Sequence, residues 1–222
     1  MSIHNSLPPI DDLRRICQSI AMLDAIYCPE WMYRYYSFNN RWGPGSQMAS
    51  MRNGSGDEYF ILFTKAGAAI KGFAHEYPAW NWEGHSRPLP GMFDGIPNDF
   101  DGFMREPAFS INETTYCYWR KYEDARWQCG SVVYPPGKDP AGAIKMLAIL
   151  LGNPDTYMDF VKEYYLDGDD SPERHVDAQT IRRVYRHEPL TNIMVRNLHG
   201  GATLESVAAD VEEIGYPHVS SC

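Results

Sequence analysis

Four ionisable side chains fall at the two outer ends of a short hairpin pattern: Asp57 and Glu58 before it, His75 and Glu76 after it. Two or three carboxylates beside an imidazole are residue types that bind a hard divalent cation or carry out acid–base chemistry. The turn ahead of them, Asn53-Gly54-Ser55-Gly56, has glycines that let backbone N–H groups approach an anion. A plain polar hairpin end uses the same glycines for its turn, so the cluster has a structural reading beside the chemical one.

The elements that must bring these side chains together are strands. Glu58 to Thr64 and Ala68 to Ala74 are apolar runs rich in β-formers, separated by a short Gly-containing turn. A two-residue loop at Ala66–Gly67 sets Phe63 opposite Ile70, Ile61 opposite Gly72, Tyr59 opposite Ala74 and Glu58 opposite His75. That register gathers Asp57, Glu58, His75 and Glu76 at the open end of the 58–74 hairpin.

Aromatic residues form a second candidate. Trp31, Tyr33, Tyr35, Trp42, Trp80, Trp82, Trp119 and Trp127 lie on expected strands or in the adjoining loop. Most suit the pleated, half-buried surface of a sheet. Trp80 and Trp82 sit instead in the Pro-, Trp- and Gly-rich stretch from Glu76 to Gly91, read as a long loop, and are the expected binding residues. Acidic side chains form a third: Asp167, Asp169, Asp170, Glu173 and Asp177, then Glu205, Asp210, Glu212 and Glu213. These can steer a basic partner or simply face solvent.

The remaining elements follow from period and punctuation. Asp11 to Tyr27 carries apolar residues along one helical stripe, with Pro8 and Pro9 before it and Pro29 after it. Trp31–Phe38 and Gln47–Arg52 read as strands around a turn-rich Asn39–Ser46. Pro97 to Arg105 reads as a short helix burying Phe100, Phe103 and Met104. Thr114–Lys121 and Arg126–Tyr134 read as a second hairpin. Beyond Pro135–Pro136–Gly137 the pattern turns helical. Asp139 caps a helix from Pro140 to Gly152, and Asn153–Pro154 starts another with Tyr157, Phe160, Val161 and Tyr164 on one face. Short helices follow near Ala178–His187 and Pro189–Leu198, and the last runs from Thr203 to Ile214. There are no repeats, low-complexity tracts or linkers. The expected fold is α+β: an antiparallel sheet built from the N-terminal two-thirds, packed on one face against a helical C-terminal third. Residues 1–222 form one domain, with a subdomain line near 137.

Composition narrows the function. The 222 residues carry a formal net charge of -9, which repels phosphate backbones and argues against nucleic acid. Arg182, Arg183 and Arg186 read as a solvated helix face. The apolar stretch near Ala143–Leu151 falls far short of the roughly 20 residues of a membrane span, so no membrane is expected. The N-terminus lacks the basic-then-apolar order of a secretory signal. Five widely spaced cysteines without a CxxC pair read as buried, reduced thiols in a cytoplasmic setting. GxSxG, Walker A, GxGxxG, HExxH and EF-hand patterns do not occur, and the cofactor stays unknown. His187 and His199 read as helix ends.

Two resemblances rest on particular strings. MRNGSGDEYFILF (Met51 to Phe63), AAIKGFAHE (Ala68 to Glu76), REPAFSINETTYCYWRKY (Arg105 to Tyr122), GNPDTY (Gly152 to Tyr157) and HEPLT (His187 to Thr191) together resemble a group of bacterial proteins of uncharacterised function. That likeness implies a bacterial-type cytosolic domain and transfers no catalytic residue. GIPNDFDGFM (Gly95 to Met104) is similar to the G-x-P-x-x-F-x-x-F/L element of the SUKH superfamily, which includes many toxin-immunity proteins. The expected function is therefore a non-enzymatic, acidic protein-binding domain of the immunity or regulator kind, with a protein partner. The alternative is a metal-binding protein or hydrolase using Asp57, Glu58, His75 and Glu76. Whether the chain is an enzyme, and its oligomeric state, stay open.

Overall fold

The computed structural model describes residues 3–167 and 173–219. Asp169 and Asp170, singled out above, and Cys222, one of the five cysteines, lie outside the described residues.

Helix α1 (Ile10–Tyr27) opens the fold. Five antiparallel strands follow: β1 (Tyr36–Gly43), β2 (Ser46–Arg52), β3 (Glu58–Phe63), β4 (Gly67–Phe73) and β5 (Tyr116–Lys121). Their spatial order is their order in the chain, β1-β2-β3-β4-β5. The β4–β5 connection carries short helices α2 (Pro78–Asn81) and α3 (Asp101–Arg105). After β5 come α4 (Ala143–Leu147), α5 (Pro154–Tyr164), α6 (Ala178–Tyr185), α7 (Asn192–Leu198) and α8 (Ala208–Ile214). The α+β class holds: a sheet from the N-terminal part and helices in the C-terminal part.

Alternation along the strands gives the sheet two faces. Tyr36, Phe38, Ala49, Met51, Tyr59, Ile61, Phe63, Ile70, Tyr116 and Tyr118 share one face by register. That face takes α1 and the C-terminal helices; Arg14 of α1 lies over the Phe63 ring, and Phe160 of α5 packs on Tyr36. The other face is covered too, which the sequence pattern does not suggest. Phe109 stacks on Phe60 at 4.7 Å between ring centroids and touches Phe103, so the β4–β5 excursion forms a second cover.

Burial from two sides explains α1. From Cys17 to Cys28 every residue is buried, although a single apolar stripe is what the spacing predicts. Its polar side chains are accordingly matched: Ser19 Oγ donates to the Val184 carbonyl, Gln18 Nε2 donates to the Ile214 carbonyl, and Asp24 accepts four hydrogen bonds.

Several expected elements differ. Trp31–Tyr33 is a 3-10 turn, not the start of a strand, and β1 runs on through the expected turn to Gly43. A register irregularity between Asn39 and Gly43 absorbs the change, and the reversal uses Gly45 at φ +70°. The stretch from Glu76 to Gly91 contains the α2 turn. Arg126–Tyr134 is not a strand; only Trp119 and Gln128 form a bridge. Two packing demands pull that segment off the sheet. Trp127 is buried with its indole N–H donating to the Pro8 carbonyl at 2.8 Å. Gly130 lies against the Gly91 and Met92 backbone, closer than any Cβ would allow. Cys129 is consequently exposed, whereas Cys17, Cys28 and Cys117 are buried as expected; all four are free thiols. Asp139 does cap, accepting from the Ile144 and Lys145 N–H groups, but the helix it serves starts only at Ala143. Among the described residues no helix is long and apolar enough to cross a membrane.

Candidate functional site

The central hairpin forms, in a register two residues away from the one expected. Phe63 faces Ala68, Ile61 faces Ile70, and Glu58 faces Phe73 rather than His75. The loop is Lys65–Ala66: Thr64 N–H donates to the Gly67 carbonyl, and Thr64 Oγ1 accepts from Ala66 N–H. Thr64 thus closes a turn that the glycine was expected to make. Gly67 serves another purpose, since a Cβ there would fall on the Arg120 carbonyl oxygen of β5.

This register divides the four candidate side chains. Asp57 and His75 do meet: His75 Nδ1 lies 2.8 Å from Asp57 Oδ1, which also accepts from the His75 backbone N–H. Asn53 holds the loop from within, its Oδ1 accepting from the Ser55 and Asp57 N–H groups and its Nδ2 donating to Asp57 Oδ2. Glu76 is exposed and 3.7 Å from His75 Nε2. Glu58 is turned away. It shares the opposite sheet face with Lys71, whose Nζ is 3.1 Å away, and lies 3.7 Å from Arg52 Nε. Among the described residues no group of three His, Cys, Asp or Glu is arranged to hold a metal ion.

Trp80 and Trp82 are half-buried. Trp80 packs edge-on with Phe73, at 4.7 Å, and has the Arg87 guanidinium over its ring, at 4.6 Å; Trp82 stacks on His85. Trp31, Met32 and Tyr33, three consecutive large apolar side chains, are instead exposed. Arg182, Arg183 and Arg186 each sit against a carboxylate, Asp155 for the first and Glu188 for the other two.

Asp57 also lines a cleft that the sequence pattern did not mark. It has a volume of about 310 Å3 and lies where β1, β2 and the 53–57 loop meet α4, α5 and Tyr77. Phe160 is its centre of packing, with ring centroids 5.1 Å from Tyr35, 5.2 Å from Tyr36 and 5.5 Å from Tyr164. Met51, Met146 and Ile149 add apolar surface, while Asp57, Glu163 and Lys145 supply its charges. The tyrosines stay protonated. Burial pushes the Tyr35 hydroxyl up, reinforced by Tyr164 and Glu163, and burial raises Tyr36 and Tyr77 as well.

Behind the aromatic wall lies Asp24, fully buried. Its Oδ2 accepts from the Tyr35 and Tyr36 N–H groups and from the Tyr165 hydroxyl, and its Oδ1 from the Tyr157 hydroxyl, all at 2.9 Å. One carboxylate therefore ties α1, the start of β1 and the end of α5 together, fixing two sides of the cleft. Burial outweighs these four donors and raises its pKa to about 6. The available signal for Asp24 was a carboxylate inside an apolar helical run, between Leu23 and Ala25. For Glu163 there was only its place beside Tyr164, at the edge of the apolar face of α5.

Against protein-family models, curated proteins and solved structures the chain finds no match. The chemistry of the site has to be argued from its own residues.

Proposed function

We propose that the chain is a ligand-binding protein whose aromatic cleft takes a small organic amine with an apolar body. One observation carries the reading: a cavity of about 310 Å3 walled by Tyr35, Tyr36, Tyr77, Phe160 and Tyr164, with the Asp57 and Glu163 carboxylates in its lining. Small-molecule sites have this size and this mixture of apolar wall and few polar groups. Aromatic faces attract an ammonium group through the ring quadrupole, and a carboxylate adds direct charge. Lys145 on the same lining suits a ligand that also carries an acidic group. A reducing, cytoplasmic setting agrees with the free thiols of the four described cysteines. The Asp57–His75 pair supports binding better than hydrolysis, because Glu58 lies on the other face of the sheet and His75 is not part of the cleft lining.

Calorimetric titration with benzylamine and with its neutral isostere benzyl alcohol tests this. The amine binds roughly tenfold more tightly if a carboxylate adds about 1.4 kcal/mol, and Glu163→Gln and Phe160→Ala both weaken it. Equal affinity for amine and alcohol, or binding that ignores Phe160→Ala, removes the proposal.

A second reading, capture of a protein partner, is favoured by the exposed turn Trp31–Tyr33, where Trp31 is 61% and Met32 72% accessible. Sedimentation velocity of the chain against Trp31→Ser/Met32→Ser checks the simplest partner, a second copy. Association that depends on concentration and disappears in the variant supports it. Monomers throughout remove that occupant.

A further inference from the structure

A second cavity, of about 460 Å3, opens where the β1–β2 and β3–β4 turns meet the first turns of α1. It lies at the far end of β2 and β3 from the amine cleft: Gln47 and Phe63 are paired here, Met51 and Tyr59 there. Its lining holds three cations, Arg14, Arg41 and Lys65, and no carboxylate. That runs against the composition of the whole chain, which has 29 Asp and Glu against 20 Lys and Arg.

The three cations are unequally occupied. Arg41 lies 3.2 Å from Glu212 with both side chains largely exposed, an ion pair that water and salt weaken. Arg14 donates from Nη1 to Asp11 and from Nη2 to the Tyr122 hydroxyl, while its Nε is buried and donates to nothing. Lys65 has no ion pair among the described residues. Its Cε lies 3.8 Å from the point a Gly45 Cβ would take, so its side chain reaches across to the neighbouring turn. Gly45, at φ +70°, makes the reversal. The Ser46 and Thr64 side chains share the lining.

We infer that this cavity is a binding site for a small phosphate-class oxyanion, free or borne on a small molecule. A guanidinium, an ammonium and the Ser46 hydroxyl around one opening are groups that recognise such an anion. The site shares no residue with the amine cleft, so either can fail without the other.

The test is an amide-resolved NMR titration of the full chain with inorganic phosphate and, separately, phenyl phosphate, against chloride at matched ionic strength. Saturable shifts at Gly45, Ser46, Thr64 and Lys65 with either phosphate are expected. Arg41→Ala/Lys65→Ala, two exposed side chains whose loss leaves the core intact, lowers the affinity at least tenfold. Lys138→Ala, an exposed lysine outside both linings, leaves it unchanged. A spectrum otherwise superimposable on that of the parent chain shows that the double variant is folded. Shifts that chloride reproduces, shifts that do not saturate, or an unchanged affinity in the double variant overturn the inference.

Discussion

The backbone N–H of Tyr36 donates to the Asp24 carboxylate at 2.9 Å, across the junction between the sheet and the buried helix. Asp24 carries a negative charge where no water reaches it, and its pKa rises from 3.8 to about 6. The folded chain therefore holds this proton more tightly than the unfolded chain. The stability from this group is complete below the ordinary carboxylate pKa and is lost as pH rises through about 6, a loss of roughly 3 kcal/mol. Asp24→Asn is neutral at every pH and keeps an oxygen for the two backbone donors. Urea unfolding at pH 4.5 and 7.5 should show Asp24→Asn gaining on the parent chain at the higher pH. A gap between the two proteins that is the same at both pH values would refute the account. Asp24→Ala, which leaves four donors without an acceptor, should be worse than the parent by at least about 3 kcal/mol at both.

Lys71 and Glu58 pose a similar problem on the opposite face of the sheet. The lysine side chain is wholly buried, its Nζ 3.1 Å from Glu58 and 5.5 Å from the centre of the Phe60 ring. Burial lowers the Lys71 pKa, against the pull of Glu58. Removing one member of such a pair differs from replacing the charge with grease. Glu58→Ala strands a buried ammonium and should cost about 3 kcal/mol, whereas Lys71→Met, of similar length, should be neutral or stabilising because Glu58 keeps Arg52 nearby. Denaturation midpoints decide it: Lys71→Met falling as far as Glu58→Ala would mean that the ion pair itself holds the fold.

Period and punctuation carried the fold class, since α1, β3, β4, β5 and the C-terminal helices all follow local pattern. The burial of Phe100 and Phe103 in a short helix was legible, but nothing in that helix, or in the turn that carries Phe109, says that they cover the second face of the sheet. The hairpin register was hidden for a smaller reason. Thr64 or Gly67 can each close a turn, and the choice of Lys65–Ala66 slides the register by two and sends Glu58 away from His75. Of the candidate site, Asp57 and His75 were legible because both lie beside the hairpin ends. Phe160, Glu163 and Lys145 come from helices more than 80 residues further on, and nothing local to Asp57 points to them.

Trp127 shows tertiary packing overriding strand propensity. Residues 126–134 have the composition of a strand, but the indole is buried and its N–H reaches the Pro8 carbonyl ahead of α1. Trp127→Phe keeps most of the apolar surface, opens a small cavity and leaves the Pro8 carbonyl unmatched. A loss of about 2 kcal/mol follows, with the sheet unchanged. Hydrogen exchange localises the effect: faster exchange should be confined to residues 3–9 and 126–134 and to the Trp119 amide, which donates to the Gln128 carbonyl. Loss of protection throughout β5 would show instead that this segment supports the sheet.

Gly67 is where the hairpin and its neighbouring strand compete for space. Gly67 pairs with Lys121 of β5, and a Cβ on it would fall on the Arg120 carbonyl oxygen, a backbone atom that cannot rotate aside. Gly67→Ala therefore has to push β4 from β5 at this end, at a cost of about 1–3 kcal/mol or more. Gly54 is the internal control, with φ +71° but open space around the position of a Cβ. Gly54→Ala meets only backbone strain, of order 1 kcal/mol, and leaves the ladder intact. Unfolding by urea, with the exchange rate of the Tyr122 amide, which donates to the Ala66 carbonyl, separates the two. Equal losses in stability with no change at that amide would mean that the β4–β5 approach is not what requires glycine at 67.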